Sequence, residues 1–560
     1  MRNNRFLLPF FLIAGCIVIV FSPSLRNGFT NWDDDVYVTN NPDIRKVTIH
    51  NVVKVFSSSY ASTYQPLTML SYMAQFAVDG PNPAVFHYTS LFFHIISGLL
   101  VFALLYGLSK SYFIGIITAL IFAVHPLRTE SVAWVADQKD LLSAIFYLLS
   151  LLAYNVFTKN NTRKYYWLSL IGLVFSLLSK PMAISQPFVL LLLDYICNKN
   201  QSKKSLVEKV PFFAIAAGFA AITLMTQHHS GAINSYPSLP VLDRVCVPFY
   251  GMVFYIVKFF IPVKLAALYP MPSPDDHFMN FAMLASPFIV VSVAALLWSF
   301  RAKSKTAVAG CLFFFITLVP VLQIVPIGSA IVSDRYSYVP LLGISAIVAG
   351  FLARIINKNP AKATRSIVYT ACAVLFFAMG SLTFQRCAVW SDSLALWNDD
   401  IGKYPSVLAY NNRATEYGNR GETDRAIEDF TKALYCDPKF AKTYDNRGIA
   451  YLAKGMADQA LADFNKTIEL DHDYYDAYNN RGIIYCFYNE FDKAIADFST
   501  AIALKSDYEK AYSNRGLAYM RNGSFAAAIK DFDLALALDP GDETAREKRF
   551  QAITSLQTAK

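Results

Sequence analysis

The hydrophobic residues divide this chain into two unlike parts. Up to about residue 384, long apolar runs alternate with short polar loops, whereas the remainder is rich in Asp, Asn, Lys and Arg. Apolar runs that approach the ~20 residues needed to cross a bilayer as a helix are typical of membrane proteins. We therefore predict an all-α protein with a polytopic helical membrane domain at 1–384 and a polar domain after it.

Twelve apolar segments are candidates for membrane helices. Lys and Arg concentrate in alternate connections between them, which marks those connections as cytoplasmic. The alternation requires that one segment does not cross. The best candidate is 244–261, which contains Pro248 and Lys258 and is either re-entrant or interfacial. We expect about eleven crossings, an N-terminus in the cytoplasm and a C-terminal domain on the other face. The candidate segments are 6–21, 86–108, 112–125, 140–157, 165–179, 183–197, 210–227, 244–261, 281–300, 306–323, 337–355 and 366–384.

The first apolar segment, 6–21, follows a basic N-terminus and precedes a first outer loop at 26–85. Residues 22–25, Ser-Pro-Ser-Leu, are a poor cleavage site for a signal peptide, so we interpret the segment as an uncleaved transmembrane helix. Residues 43–85 are too polar to span a bilayer, and apolar residues recur there at helical spacing. We predict amphipathic helices that lie on the outer membrane surface.

A repeat with a period of 34 residues occupies the polar part of the chain, and its Tyr-x-Asn-Arg motif begins at Tyr410. This period is that of tetratricopeptide repeats, each of which is a pair of helices. We predict a linker helix at 385–406, four repeats that stack into an α-solenoid, and a capping helix at 543–560. The repeats are expected at 407–440, 441–474, 475–508 and 509–542.

Two polar patterns recur with these repeats. An Arg in each first helix recurs together with an Asp in each second helix, which favours ion pairs within a repeat over a basic ladder for an acidic ligand. An Asn also recurs in each first helix. These amides bond either an extended peptide on the concave face or the backbone of the repeat itself, and they are our candidates for protein binding. They are Asn412, Asn446, Asn480 and Asn514.

Composition and charge narrow the class of protein. Charged residues make up 16% of the chain, against about 25% in soluble domains, and the net charge is +9. Much of the excess of Lys and Arg lies in short loops between apolar runs, as the positive-inside rule requires. No basic run with interleaved aromatic residues is present, so we predict no nucleic-acid partner.

The first outer loop carries three consecutive carboxylates, Asp33, Asp34 and Asp35, shortly after the first apolar segment. Desolvation and mutual repulsion raise the pKa of such a group, which suits it to accept a proton from a hydroxyl near neutral pH. The alternative is a solvated loop without a catalytic role.

The second outer loop places many ionisable residues between two apolar helices, which is costly and therefore marks functional candidates. His125 and Glu130 are candidates to orient a group or relay a proton, and Arg128 and Lys139 are candidates to hold a phosphate. The alternative is capping of helix ends and snorkelling of long side chains.

Two further cations lie at the ends of apolar segments. Arg335 offers paired donors that suit a phosphate, and Lys180 lies at a tight corner, where a topological anchor is the alternative. Under the predicted topology these cations, both loops and the C-terminal domain share the non-cytoplasmic face. The convergence predicts a single site, and no spacing of ligands indicates a metal site within it.

Four motifs occur in a fixed order along the chain. They are Asn-Trp-Asp-Asp-Asp-Val-Tyr-Val-Thr-Asn-Asn-Pro at 31–42, His-Pro-Leu-Arg-Thr-Glu-Ser-Val-Ala-Trp-Val at 125–135, Leu-Leu-Ser-Lys-Pro-Met-Ala at 177–183 and Asp-Arg-Tyr-Ser-Tyr-Val-Pro at 334–340. Together with the repeats they resemble the transmembrane and tetratricopeptide-repeat O-mannosyltransferases and their bacterial relatives. The resemblance covers nearly the whole chain.

The resemblance implies a glycosyltransferase of the GT-C class that uses a polyprenyl-phosphate-linked sugar and a hydroxyl acceptor, such as a protein Ser or Thr. Asp33 and Asp34 match the acidic pair that is expected to supply the catalytic base, and Asp35 extends that pair. The role of a divalent metal is left open. The other motifs are matched at His125, Glu130, Lys180 and Arg335.

The short repeat array distinguishes the chain from the animal members and favours a bacterial inner-membrane protein with periplasmic repeats. A eukaryotic protein would instead place the repeats in the lumen of the endoplasmic reticulum. We expect the repeats to present a protein or peptide acceptor on their concave face. The main alternative is a non-catalytic membrane scaffold whose repeats recruit partners for an envelope or secretion complex. A transporter is less favoured, because the charges cluster at one face and not at the bilayer midplane.

Overall fold

In the computed structural model, residues 7–197, 203–231, 241–271, 277–300, 305–325, 328 and 330–558 are described. They are nearly all helical, with one antiparallel pair of short strands, β1 (Tyr269–Pro270) and β2 (Ala330–Val332). The predicted all-α class is confirmed apart from this pair. The chain divides into two compact units, Met1–Tyr404 and Pro405–Lys560.

The first unit consists of long apolar helices joined by short helical turns. Each apolar segment predicted from the sequence forms a helix. The α-helices are α1 (Leu7–Phe21), α2 (Ile49–Ser57), α3 (Pro66–Asp79), α4 (Pro83–Ser109), α5 (Tyr112–Val124), α6 (Thr129–Ala133), α7 (Gln138–Asn160), α8 (Arg163–Ser179), α9 (Gln186–Ile196), α10 (Lys203–Val207), α11 (Val210–His229), α12 (Val241–Phe260), α13 (His277–Phe300), α14 (Lys305–Leu318), α15 (Leu341–Lys358), α16 (Lys362–Cys387) and α17 (Ser393–Lys403).

Several of these helices have the length and composition of membrane spans. Seven described segments qualify on their own, and they contain α1, α4, α7, α11, α13, α15 and α16. The helices α5 and α6, bent by 60°, make an eighth span if they cross together, and α9 and α14 are shorter apolar helices. The chain is therefore a multi-pass membrane protein, while the number of about eleven crossings stays a prediction.

Small polar residues bring α7 and α8 close together. Ser150 Oγ donates to the carbonyl of Ser169 at 2.6 Å. Ser176 Oγ donates to the carbonyl of Ser143 at 2.8 Å. A Cβ added at Gly172 would lie 2.9 Å from the Cβ of Ser150, so only glycine fits there without a shift. Such contacts stabilise helix pairs in membranes and fix the end of α7 that enters the candidate site.

The first loop is bonded to the segment after α16. The backbone N–H of Gly28 donates to the carbonyl of Ser391 at 2.8 Å. The indole Nε1 of Trp397, on α17, donates to Oδ1 of Asn31 at 2.6 Å. Most of the segment 385–406, predicted as a linker helix, therefore lies within the first unit and holds the acidic loop in place.

The amphipathic helix predicted in the first loop is present as α2. Its N-terminus is capped by Thr48, whose Oγ1 accepts the backbone N–H of Asn51 at 3.1 Å. Ile49, Val53 and Phe56 lie at helical spacing and are 86%, 60% and 42% exposed. The location of this apolar stripe at the membrane surface stays a prediction.

The second unit contains four helix pairs and a further helix. Each pair brings its two helices into close contact, and a Cβ added at Gly482 would lie 2.7 Å from the ring of Phe498. The helices are α18 (Val407–Asn419), α19 (Thr423–Cys436), α20 (Ala441–Ala453), α21 (Ala457–Leu470), α22 (Tyr475–Phe487), α23 (Phe491–Leu504), α24 (Glu509–Arg521), α25 (Phe525–Leu538) and α26 (Glu543–Thr558).

The recurring Arg and Asp residues form ion pairs inside each repeat, as predicted. Each guanidinium on a first helix donates two hydrogen bonds of 2.6–2.9 Å to the carboxylate on its second helix. These arginines are therefore occupied within the fold. The pairs are Arg413–Asp429, Arg447–Asp463, Arg481–Asp497 and Arg515–Asp531.

Candidate active site

Asp34 is buried, and its carboxylate joins the first loop to the second. Its Oδ2 accepts the backbone N–H and the hydroxyl of Thr30 at 2.8 and 3.0 Å. Its Oδ1 accepts the backbone N–H of Ala136 at 2.8 Å. Burial raises the pKa of Asp34 to about 7, although the bonds from Thr30 and Ala136 favour the ionised form. Asp34 thus fixes the relative position of the two loops.

Asp33 precedes it in a different environment. Its side chain is partly exposed and forms no hydrogen bond or ion pair among the residues that the structure describes. Its backbone has a φ of +68°, in the left-handed region that Asp and Asn tolerate better than other residues with a Cβ. Its charge acts on Lys139 and on the hydroxyl of Tyr37. Asp33 therefore presents an unpaired carboxylate beside a buried cation.

Lys139 extends from the first turn of α7 between two aromatic rings. Its Nζ donates to Tyr37 Oη at 3.4 Å and lies 4.7 Å from the centre of that ring. It also lies 5.6 Å from the ring of Trp134. Lys139 is 8% exposed. Its ammonium is therefore positioned by aromatic faces, which attract a desolvated cation.

Glu130 and Arg335 form the second charged group of the site. The carboxylate of Glu130 accepts the backbone N–H of Arg335 at 2.8 Å and also pairs with Nη1 of its guanidinium. The guanidinium lies 5.2 Å from the ring of Trp134 and 5.0 Å from that of Tyr336. Within the described chain, Nε and Nη2 of Arg335 have no carboxylate or carbonyl partner. Glu130 therefore orients Arg335 and leaves donors for another group.

Lys180 joins two acidic residues from the start of α7, and we call Asp137, Asp140 and Lys180 the acid–lysine cluster. Lys180 Nζ lies 2.5 Å from Asp140 Oδ1 and 3.8 Å from Asp137 Oδ1. Asp137 is fully buried, and within the described chain neither of its carboxylate oxygens accepts a hydrogen bond. Buried polar atoms without partners are costly and mark functional positions.

A narrow cleft lies beside the acid–lysine cluster, between α7 and the turn that follows α8. Its lining combines Arg335 and Asp140 with Met182, Val339 and Pro340. The cleft thus brings charged and apolar side chains together, and its volume is about 30 Å³.

His125 has both ring nitrogens engaged inside the protein. Its Nε2 donates to the carbonyl of Phe259 at 3.0 Å, and its Nδ1 accepts the backbone N–H of Leu127 at 3.2 Å. The ring is 1% exposed. The structure therefore places His125 as a link between the second loop and α12.

Arg128 is likewise buried, away from any carboxylate in the described chain. Its Nε donates to the carbonyl of Phe122 at 3.2 Å. Its guanidinium lies 4.9 Å from the Phe122 ring and 5.2 Å from the Tyr338 ring. Arg128 therefore packs against Tyr338, close to Arg335 in the sequence, and its side chain does not line the cleft.

Asp35 does not share the environment of Asp33 or Asp34. It lines a separate surface pocket with Asn40, Asp43 and Tyr60. Within the described residues, no group of three or more His, Cys, Asp or Glu side chains is arranged to hold a metal ion. The assistance of a divalent metal stays an open prediction.

The sequence alone does not single out Tyr37, Asp137 or Asp140. A signal exists for each of them. Tyr37 follows Asp33 by one helical turn, and the two acidic residues flank Lys139 at the start of α7. Spacing did not reveal that Lys180, from a distant motif, meets both of these carboxylates.

The recurring asparagines form a ladder between repeats. The amide Nδ2 of each of the last three donates a hydrogen bond to a side chain that lies 35 positions earlier, in the preceding repeat, which orients the amide. Asn412 instead accepts from Asn411 at 3.3 Å. The ladder bonds are Asn446 to Asn411 at 3.1 Å, Asn480 to Asp445 at 3.0 Å and Asn514 to Asn479 at 2.9 Å.

Comparisons with known proteins bear on both units. Residues 407–440 and 509–542 match the family model described as tetratricopeptide repeat, and residues 488–523 match one described as TPR repeat. Protein O-mannosyl-transferase TMTC1 of Homo sapiens is 24% identical over an alignment that covers 77% of this chain and 55% of the relative. Protein O-mannosyl-transferase F38B6.6 of Caenorhabditis elegans is 20% identical over 77% of this chain and 63% of the relative.

The homologues of this chain are O-mannosyl-transferases with tetratricopeptide repeats. The resemblance noted in the sequence is therefore confirmed, and the chain spans little more than half the length of the human relative. Among solved structures, MamA is 28% identical over 26% of this chain with a TM-score of 0.25. The first TPR domain of human RPAP3 is 28% identical over 22% of this chain with a TM-score of 0.21.

Proposed function

We propose that this protein is a membrane glycosyltransferase of the GT-C class, which transfers a sugar from a polyprenyl-phosphate donor to a Ser or Thr hydroxyl of a protein. The reaction takes place on the non-cytoplasmic face, which is the periplasm in a bacterium and the lumen of the endoplasmic reticulum in a eukaryote. The repeats bind the acceptor or a partner that carries it. The names of the homologues support this reaction class.

The observation that carries the proposal is the placement of one unpaired carboxylate among fixed cations. Asp33 is partly exposed, and its charge acts on Lys139. Lys139 and Arg335 lie over the same ring, that of Trp134, at 5.6 and 5.2 Å. A carboxylate that can act as the base therefore lies on the same side of the membrane unit as two cations that can bind a phosphate. Transfer from a lipid phosphate requires both kinds of group.

In the proposed reaction, Asp33 accepts the proton of the acceptor hydroxyl as its oxygen attacks the anomeric carbon. The bond from that carbon to the phosphate oxygen breaks, and the lipid phosphate leaves with the electron pair. This single displacement inverts the anomeric configuration. Lys139, Arg335 and Lys180 stabilise the charge that develops on the phosphate.

The other candidates act as positioning residues in this scheme. Asp34 holds the first loop against the second, and Glu130 orients Arg335. We assign His125 and Arg128 to stabilising the second loop. Each donates a hydrogen bond to a buried backbone carbonyl, and Arg128 also packs against aromatic rings. Asp35 is assigned to a separate polar pocket beside the loop.

The proposal is tested by measuring sugar transfer with the purified chain in lipid nanodiscs, a panel of polyprenyl-phosphate sugars and acceptor proteins from the same envelope. We expect Asp33→Asn to lower the rate by about 10²–10⁴-fold, since it removes the base. Asp79→Asn replaces an exposed carboxylate at the end of α3 and is expected to leave the rate unchanged. Asp34→Asn is expected to reduce thermal stability as well as rate, because an amide cannot accept all three bonds.

Full transfer activity in Asp33→Asn would overturn the assignment of the base. Absence of transfer from the wild-type protein with every donor, while an envelope protein is retained specifically on the repeats, would favour the non-catalytic scaffold.

A further inference from the structure

The second, third and fourth repeats enclose a groove with a volume of about 980 Å³. It runs across the first helices of these repeats, α20, α22 and α24, and reaches the start of α26. Within the second unit this is the concave surface that stacked helix pairs create. The proposed function gives the repeats an acceptor without describing its chemistry, and the lining of the groove bears on that question.

The groove is strongly acidic. Six carboxylates and two lysines line it, and none of the six carboxylates forms an ion pair within the described chain. The arginines of the repeats do not neutralise them, because each is held by the Asp of its own repeat. The lining carboxylates are Asp445, Asp476, Glu509, Asp539, Asp542 and Glu543, and the lysines are Lys442 and Lys510.

Asp445 shows that the negative charge lies within the groove and not only at its rim. The residue is 4% exposed, and its Oδ1 accepts Asn480 Nδ2 at 3.0 Å. Its Oδ2 has no hydrogen-bond partner among the residues that the structure describes. Burial and the charge of Asp476 raise the pKa of Asp445 to about 6, against the lowering effects of the bond from Asn480 and the charge of Lys442. A buried carboxylate with a free oxygen is stabilised by a cation.

A second acidic pair lies at the other end of the groove. Glu509, at the start of α24, faces Asp542, just before α26. Burial raises the pKa of Glu509, and hydrogen bonding with the carboxyl of Asp542 raises it further. Two adjacent carboxylates without a cation repel each other, and a positively charged side chain between them relieves that repulsion.

The floor of the groove is suited to an extended chain. Ile449 and Ile483 occupy equivalent positions in successive repeats and are 48% and 40% exposed. The amides of Asn446 and Asn480 lie beside them and are oriented by the ladder bonds between repeats. Polar and apolar positions therefore recur once per repeat, as successive side chains of an extended peptide require.

We propose that this groove binds an extended polypeptide segment that carries lysine or arginine side chains. The cationic heads pair with Asp445 and with the Glu509–Asp542 pair, while their aliphatic stems cover Ile449 and Ile483. The further step, that the groove selects the acceptor, rests on the proposed function. It then assigns to the acceptor a basic segment near the modified Ser or Thr.

The test measures fluorescence anisotropy of labelled peptides with the full chain in detergent micelles and no sugar donor. The probes are three peptides of equal length that combine Gly and Ser with Lys, Gln or Glu. We expect the Lys peptide to bind at least about tenfold more tightly than the Gln peptide, to weaken as salt increases, and the Glu peptide not to bind.

A double variant, Asp476→Asn with Glu509→Gln, is expected to weaken binding of the Lys peptide by about tenfold. The matched control is Glu428→Gln with Glu469→Gln, which removes two exposed carboxylates from second helices and is expected to leave binding unchanged. Equal binding of the Lys and Gln peptides, or equal loss in the control variant, would overturn the inference.

The same peptides separate this inference from the proposed function. Asp33→Asn is expected to retain full binding of the Lys peptide, because the base is not part of the groove. Binding of the Lys peptide without any sugar transfer would contradict the proposed function and leave the groove assignment standing. Transfer that is indifferent to the groove variants would show that the groove does not select the acceptor.

Discussion

At Asp33 the backbone adopts a φ of +68°, which costs a residue with a Cβ about 1–2 kcal/mol. Asp and Asn are found in this conformation more often than Ala. An Asn at this position therefore removes the charge and preserves the loop, whereas an Ala adds strain to the loss of the carboxylate. Comparing Asp33→Asn with Asp33→Ala separates the two effects.

Asp445 provides a prediction at the scale of one residue. Its folded pKa of about 6 lies above its ordinary value of 3.8, so the folded groove holds this proton more tightly than the unfolded chain. Stability from this group is therefore full below about pH 4 and falls as pH rises towards about 6. Binding has the opposite dependence, because only the ionised carboxylate attracts a cation. The charged or polar groups that face Asp445 are Lys442, Tyr474, Asp476, Asn480 and Tyr508.

We expect the affinity for the Lys peptide to fall when the pH is lowered from about 7 to about 5, measured by anisotropy at constant ionic strength. Asp445→Asn should show a shallower dependence, and some dependence should remain because the pKa of Glu509 is also raised. An affinity that does not change over this range would contradict the assignment of Asp445.

Neighbouring residues of one motif show where sequence reasoning reaches its limit. The run of three aspartates correctly indicated an acidic loop. It did not distinguish Asp33, whose carboxylate has no hydrogen-bond partner in the described chain, from Asp34, whose carboxylate accepts hydrogen bonds from Thr30 and Ala136. That distinction depends on a backbone amide more than 100 residues away in sequence, and no local pattern encodes it.

At the scale of helices, close contact between neighbours depends on small residues at particular points. In the repeats, Gly482 faces the buried ring of Phe498, and a Cβ would lie 2.7 Å from that ring. A buried ring has little freedom to move, because protein interiors are closely packed.

We expect Gly482→Ala to destabilise the repeats by about 1–3 kcal/mol, since the added methyl overpacks the helix pair. Gly418→Ala is the matched control, because that helical glycine has no atom within 4 Å of its Cβ position. The control is expected to be neutral or to stabilise by about 0.5–1 kcal/mol. Pulse proteolysis in urea, scored on repeat fragments, measures both variants. An unchanged urea midpoint in Gly482→Ala would show that the helix pair accommodates the added methyl group and would contradict this prediction.

Helices were the features most accessible from the sequence, because apolar length and a period of 34 residues are local signals. The assignment of Arg413 and its equivalents to pairs with Asp also followed from recurrence alone. The sequence did not predict where α17 packs. Its Trp397 bonds Asn31 of the first loop, a contact between segments more than 360 residues apart.

For the whole molecule, the packing of loops provides a check on the predicted topology. Asp34 bonds Ala136, Glu130 bonds Arg335 and Lys180 pairs with Asp140, so four loops assigned to one face do lie together. The end of α12 joins the same group, because His125 donates to the carbonyl of Phe259. Under the predicted topology α11 also leads to that face, and a helix α12 that does not cross the membrane stays a prediction that agrees with this contact.

The side on which the repeats lie is open to chemical labelling. Cys436 is the exposed cysteine among the eight, and it lies at the end of α19 in the first repeat. We expect a membrane-impermeant maleimide to label Cys436 from the non-cytoplasmic side of intact cells or sealed vesicles of that orientation. Cys436→Ser should abolish most labelling, while Cys387, which is fully buried, should remain unreactive. In sealed vesicles whose non-cytoplasmic face is outward, labelling only after permeabilisation would place the repeats in the cytoplasm and contradict the predicted topology.

The amide ladder has a consequence for how such arrays change length during evolution. Each ladder bond reaches back by 35 positions, one more than the repeat period, so every internal repeat supplies one donor and one acceptor. Duplication or loss of a whole repeat therefore reconnects donors with acceptors and leaves no amide stranded. A duplication out of phase by even a few residues breaks the register. Arrays that descend from a common ancestor are thus free to differ in length by multiples of 34 residues.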